Sequence, residues 1–133
     1  MISGKFLLTA AAIAVAVTFI QWLFIGFLFH SYQALTPSTW RAESKRSYGA
    51  SMILSLVFAV MFTAIFWSWS HAHGPVDAVG GMEFGLVLWF AFSVTAELGS
   101  AIYVQYARMF VLGKCLSSLV EYTVAGLVAA ILS

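Results

Sequence analysis

The chain has 133 residues and a mass of 14.5 kDa, with 62% hydrophobic residues, only 8% charged ones and a mean hydropathy of +0.98. A water-soluble domain needs roughly a quarter of its residues charged, so this composition excludes a soluble enzyme and a disordered tail. Six Lys plus Arg against five Asp plus Glu leave no basic surplus for nucleic acid, and the single Cys115 excludes a disulfide framework and a cysteine-rich zinc site.

Four apolar runs, at residues 6–29, 49–69, 82–106 and 111–133, each approach or exceed the ~20 residues an α-helix needs to cross the hydrocarbon core. They predict an all-α fold, an integral membrane four-helix bundle forming one domain over residues 1–133. In the first run, Ala14-Val15-Ala16 after Lys5 resembles a signal-cleavage site, but the apolar stretch continues to Phe29 and reads as an anchor. Thr36-Pro37 then reads as a helix cap followed by proline at the first helical position. A short interfacial helix is therefore expected from Pro37 to about Lys45, with Trp40 as its anchor and Arg41, Lys45 and Arg46 toward the headgroups. His30 and Tyr32 fall at the same interface.

Between the second and third runs, Ser70 to Asp77 reads as a turn about its Gly74-Pro75 step, with Gly80-Gly81 easing entry into the third helix. His71, His73 and Asp77, with Glu83, would offer nitrogen and oxygen ligands to a divalent metal. Solvated turn residues are the plainer reading of the same group. The third connection is so short that helices three and four form an antiparallel hairpin about a turn near Met109. Ser133 closes the fourth helix with no soluble tail expected. Arg41, Lys45, Arg46, Arg108 and Lys114 fall on one side of such a bundle and only Lys5 on the other, so both termini are expected to be extracytoplasmic in a multi-pass protein of a bacterial inner membrane.

Ionisable residues inside a span seldom face lipid, and two stand out, Glu97 and Glu121. Reflected through a turn near Met109 they share one depth. Ser93, Glu97, Ser100 and Ala101 recur at helical spacing on helix three, as do Lys114, Ser117, Ser118, Glu121, Ala125 and Ala129 on helix four. Ser51, Ser55, Ala59 and Thr63 on helix two, and Gln21 beside Thr18 on helix one, add small or polar faces of the kind that packed membrane helices use. The expected binding group is Glu97, Glu121, Gln21, Thr63 and Ser93. Two carboxylates this close cannot both ionise cheaply, so one holds a proton unless a cation sits between them. The plainer alternative is a structural hydrogen bond. Trp22, Trp67, Trp69 and Trp89 read as ordinary interfacial or lipid-facing aromatics before a ligand site, and Cys115 as a packing residue.

The run from Phe29-His30 through Tyr32 to Trp40-Arg41, together with Leu119-Val120-Glu121-Tyr122-Thr123-Val124-Ala125-Gly126-Leu127, resembles a group of small uncharacterised bacterial integral membrane proteins with four predicted spans. The resemblance singles out His30, Trp40, Arg41 and Glu121 and brings no activity with it. No nucleotide, haem or flavin motif is present, so no cofactor is expected. These features lead to a non-enzymatic membrane protein whose mid-membrane carboxylate site binds or passes a proton, cation or small amphiphile. The alternatives are an accessory subunit of a larger membrane complex, or an enzyme on a lipid or quinone-like substrate drawing on His30, Tyr32 and Arg41. Expected partners are membrane lipids and either further copies of the chain or a larger complex, not nucleic acid.

Overall fold

A computed structural model describes residues 3–133, and every regular element in that range is helical. Four helices are long and apolar enough to cross a membrane: helix 1 (Gly4–Leu28), helix 2 (Lys45–His73), helix 3 (Ala78–Tyr103) and helix 4 (Arg108–Leu132). Each begins a few residues before its apolar run, and in helices 1 to 3 a polar cap sets the start, whereas helix 4 follows Ala107 without a side-chain cap. Ser3 accepts a hydrogen bond from the Phe6 amide at 3.2 Å, and the Asp77 carboxylate accepts from the Gly80 amide at 2.8 Å. Ser44 and Ser47 form a reciprocal capping box.

Two connections differ from expectation. The interfacial helix expected over residues 37–45 is reduced to a single 3-10 turn, Pro37–Thr39, after which Trp40 is extended. Thr36 does not cap it, since its Oγ1 instead accepts from Trp40 Nε1 at 3.3 Å. Trp40 is turned onto Tyr106 and Phe110, with ring centroids 5.6 and 4.7 Å away, and the capping box at Ser44 starts helix 2 directly. The Ser70–Asp77 turn is likewise shorter than expected. Helix 2 runs on through His73 and stops at Gly74, whose φ of 95° is left-handed territory that a residue without a Cβ enters freely.

Helix 1 packs against helices 2 and 4, and helix 3 packs chiefly against helix 4. The core between them is Ile13, Val17, Ala59, Phe62, Phe66, Ala125 and Ala129. Along the helix 3–4 seam, Gly81 backs onto Gly126 and Gly85 onto the backbone of Tyr122. The glycines thus serve close approach, as small residues do between membrane helices, and not the entry flexibility expected of Gly80-Gly81. Large apolar side chains such as Val15, Leu54, Phe90 and Ile131 point outward, the surface that contact with lipid permits.

Candidate functional site

Helix 4 turns Ser117, Ser118, Glu121, Ala125 and Ala129 inward as its spacing predicts, but Gly113 takes the inward place expected of Lys114, which is only half-buried. Glu121, 7% exposed, is the only buried charged side chain among the described residues. Its Oε1 accepts from Ser117 Oγ at 2.6 Å, and its Oε2 from Gln21 Nε2 at 3.1 Å. Gln21 Oε1 in turn faces Ser55 Oγ at 3.4 Å, and that hydroxyl also donates to the Ser51 carbonyl at 3.2 Å. A polar chain therefore crosses from helix 4 through helix 1 to helix 2. Gln21 ends the α-helical part of helix 1, and a π-wound stretch, Trp22–Leu28, comes immediately after it.

The other expected members lie elsewhere. Glu97 does not pair with Glu121; it forms an ion pair with Lys114 at 2.5 Å, and Lys114 Nζ also lies 5.2 Å from the Tyr106 ring centroid. The cause is the position of the reversal. Helix 3 ends at Tyr103 and helix 4 starts at Arg108, so the chain turns three to four residues before Met109. Each residue of shift in a hairpin turn moves the register by two. The displacement is therefore about seven residues, or two helical turns, which brings Lys114 opposite Glu97. Thr63 is buried but donates to the Ala59 carbonyl at 2.7 Å, two turns beyond Ser55. Ser93 is half-buried in a second π-wound stretch, Trp89–Val94, and makes no side-chain hydrogen bond among the described residues.

At the interface His30 is exposed, with Nδ1 3.8 Å from Glu43 Oε1, and Tyr48 donates its hydroxyl hydrogen bond to Glu43 Oε2. Tyr32 packs beside Phe29 and Arg41 is exposed. Among the described residues His30, Tyr32 and Trp40 thus have separate partners, Arg41 is exposed, and the four build no common site. His71 and His73 lie on helix 2, where each Nδ1–H donates to a carbonyl four residues back, Trp67 at 2.7 Å and Trp69 at 2.9 Å. Asp77 is committed to its cap, and no three His, Cys, Asp or Glu side chains among the described residues are grouped to hold a metal. His71, His73 and Asp77 are therefore not brought together as a ligand set among the described residues.

Three partners escaped the sequence reading as site members. Ser117 and Ser55 carry the signal of their stripes, and Lys114 that of an opposite charge one turn from Ser117 and Ser118. Trp89 is also more than a lipid-facing aromatic, since its Nε1 donates to Ser118 Oγ at 3.0 Å and to the Cys115 carbonyl at 3.2 Å. Two hollows have no lining residue from the Glu121 hydrogen-bond chain. A 560 Å³ hollow at the far end is lined by Trp67, Ser70, His71 and Ala130, among others, and a 260 Å³ apolar groove lies between Phe58, Met61, Leu88 and Phe92.

Fold and site together define an all-helical protein of four candidate membrane-spanning helices with one carboxylate buried among three of them. In comparison with known proteins, no family model, no curated protein and no solved structure matches the chain.

Proposed function

We propose that this is a non-enzymatic integral membrane protein of a bacterial inner membrane, termini outside, whose Glu121 site binds or passes a proton or small cation. One observation carries the reading: Glu121 is taken out of water with neutral Gln21 and Ser117 as its hydrogen-bond partners and no basic residue paired to it among the described residues. A buried carboxylate without a basic partner is costly unless a proton or a cation joins it. An amphiphile has less support, because Glu121 lines neither the hollow beside Trp67 nor the apolar groove beside Phe58.

Difference infrared spectroscopy on the protein in lipid nanodiscs tests this. Stepping the pH or the cation should change the carboxyl C=O band reversibly, and Glu121→Gln should remove that change while leaving the helical content intact. A Glu121 carboxyl that stays in one state at every pH and in every salt would refute the site.

A second reading, an assembly subunit joined by further copies or a larger complex, is favoured by helix 3. It is the least covered of the four long helices and rests mainly on helix 4.

A further inference from the structure

We infer that the occupant of the Glu121 site is a dehydrated monovalent alkali cation of the sodium kind, exchanging with a proton. This rests on the carboxylate-site reading above and goes beyond it by naming the ion class.

Charge balance supplies the first step. Of the titratable groups on the helices around Glu121, helix 4 carries Lys114, Cys115 and Tyr122, with Arg108 at its far N-terminal end, and helix 3 contributes Glu97, while helices 1 and 2 face it with the neutral Gln21 and Ser55. Lys114 is closed on Glu97, so those two charges cancel. One negative charge remains, on a side chain 7% exposed. A monovalent ion makes the site neutral. A divalent ion would leave a net positive charge among apolar helices, where an unpaired charge costs a few kcal/mol even on lenient scales.

Donor chemistry supplies the second. The oxygens in this hydrogen-bonded chain are the two of Glu121 and Ser117 Oγ, then Gln21 Oε1 with Ser55 Oγ behind it, and neither imidazole nor thiol is bonded into the chain among the described residues. Oxygen-only donors suit hard cations. Ser117 and Ser55 are 2% and 3% exposed, so an ion there has shed most of its water and these oxygens must replace it.

The third step is that both states can be satisfied. Gln21 now points Nε2 at Glu121 and Oε1 at Ser55, and an amide can turn over. Turned, Oε1 becomes a ligand beside Glu121. Nε2 then donates to Ser55 Oγ, which is able to accept because its own hydrogen goes to the Ser51 carbonyl. Ser117 can likewise redirect its hydrogen to the carbonyl four residues back, as Thr9, Thr63 and Thr123 already do, leaving a lone pair for the ion. Proton and cation therefore compete for one carboxylate with no group stranded in either state.

The test uses a hydrophobic carbodiimide, which attaches only to a protonated carboxyl, on the full chain in nanodiscs, with the peptide containing Glu121 tracked by mass spectrometry. Labelling in sodium chloride should be at least tenfold slower than in choline chloride of equal ionic strength. That protection should fade as the pH falls and protons displace the ion. Gln21→Leu should still label but lose most of the protection; should it fail to fold, Ser55→Ala should lose part of it. Equal labelling in the two salts overturns the cation inference and leaves a proton site. Absence of labelling at any pH, together with an unresponsive infrared band, overturns both.

Discussion

The seam between helices 3 and 4 makes a sharp prediction, because its contacts are backbone on both sides. A Cβ added to Gly126 would press on the carbonyl of Gly81 and lie 3.2 Å from the Gly85 amide nitrogen, and one added to Gly85 would press on the carbonyl of Tyr122. No flexible side chain is there to yield, so the helices must part. Overpacking by one methyl costs about 1–3 kcal/mol, and even a gap of ~0.5–1 Å forfeits a quarter to a half of each dispersion contact along the seam. Against this, Ala gains about 1 kcal/mol over Gly as a helix former. Gly126→Ala and Gly85→Ala should therefore each destabilise the bundle by about 1–2 kcal/mol, roughly a tenfold shift in the folding equilibrium. Gly99, in the same helix 3, has nothing within 4 Å of its Cβ position, so Gly99→Ala should be neutral or stabilising by up to about 1 kcal/mol. Equilibrium unfolding in mixed detergent micelles, monitored by circular dichroism, reads all three. Seam variants as stable as the parent, or a Gly99→Ala that is the worst of the set, would refute the close-approach argument.

The charges yield two further outcomes. In a Cys115→Ala background, an impermeant thiol reagent applied to intact cells should label Ala72→Cys and spare Ser44→Cys, since five of the six basic residues lie on the Ser44 side; the reverse pattern would invert the topology. Lys114→Leu should cost about 1–2 kcal/mol in the micelle assay, because it strands a Glu97 side chain that is only 23% exposed. Adding Glu97→Leu should restore most of the loss, and a double variant no better than the single would show that the pair is not what Lys114 provides.

The inner faces of helices 2 and 4 were partly legible in the sequence while the register of helices 3 and 4 was not, and the difference is physical. Small and polar residues at spacings of three and four mark the inner side of helix 4 from Ser117 to Ala129, and that of helix 2 at Ser55, Ala59 and Thr63, because burial depends on local periodicity, whereas Ser51 and Ser100 of the expected stripes are exposed. Register depends on where the chain reverses. Val104-Gln105-Tyr106-Ala107 contains neither glycine nor proline to announce a turn. Tertiary contacts fix it instead: Trp40 packs on Tyr106 and Phe110, and Thr39 Oγ1 donates to the Gln105 carbonyl at 3.1 Å. An aromatic far back in the first connection thus sets which residues of helices 3 and 4 meet. Gln21 was legible as a polar residue in an apolar helix, but its hydrogen bonds to both Glu121 and Ser55 required three helices to be placed together.

The seam and the carboxylate site divide helix 4 between them, and that division explains why Glu97 and Glu121 take different partners. Toward its C-terminal end helix 4 is backed so tightly by Gly81 and Gly85 that no charged side chain could enter between the two backbones. Toward its N-terminal end helix 3, past its π-wound stretch, makes fewer close approaches, and the gap is crossed by the long Lys114 and Glu97 side chains. A π-wound turn widens the coil by one residue and re-aims the side chains beyond it, so the stretch at Trp89–Val94 is where the glycine seam gives way to the ion pair. Glu121 sits at the boundary on a different face, toward helices 1 and 2, whose neutral Gln21 and Ser55 are the polar groups aligned with it. The same packing that lets helix 3 lock onto helix 4 leaves Lys114 to Glu97 and leaves Glu121 with only neutral partners among the described residues.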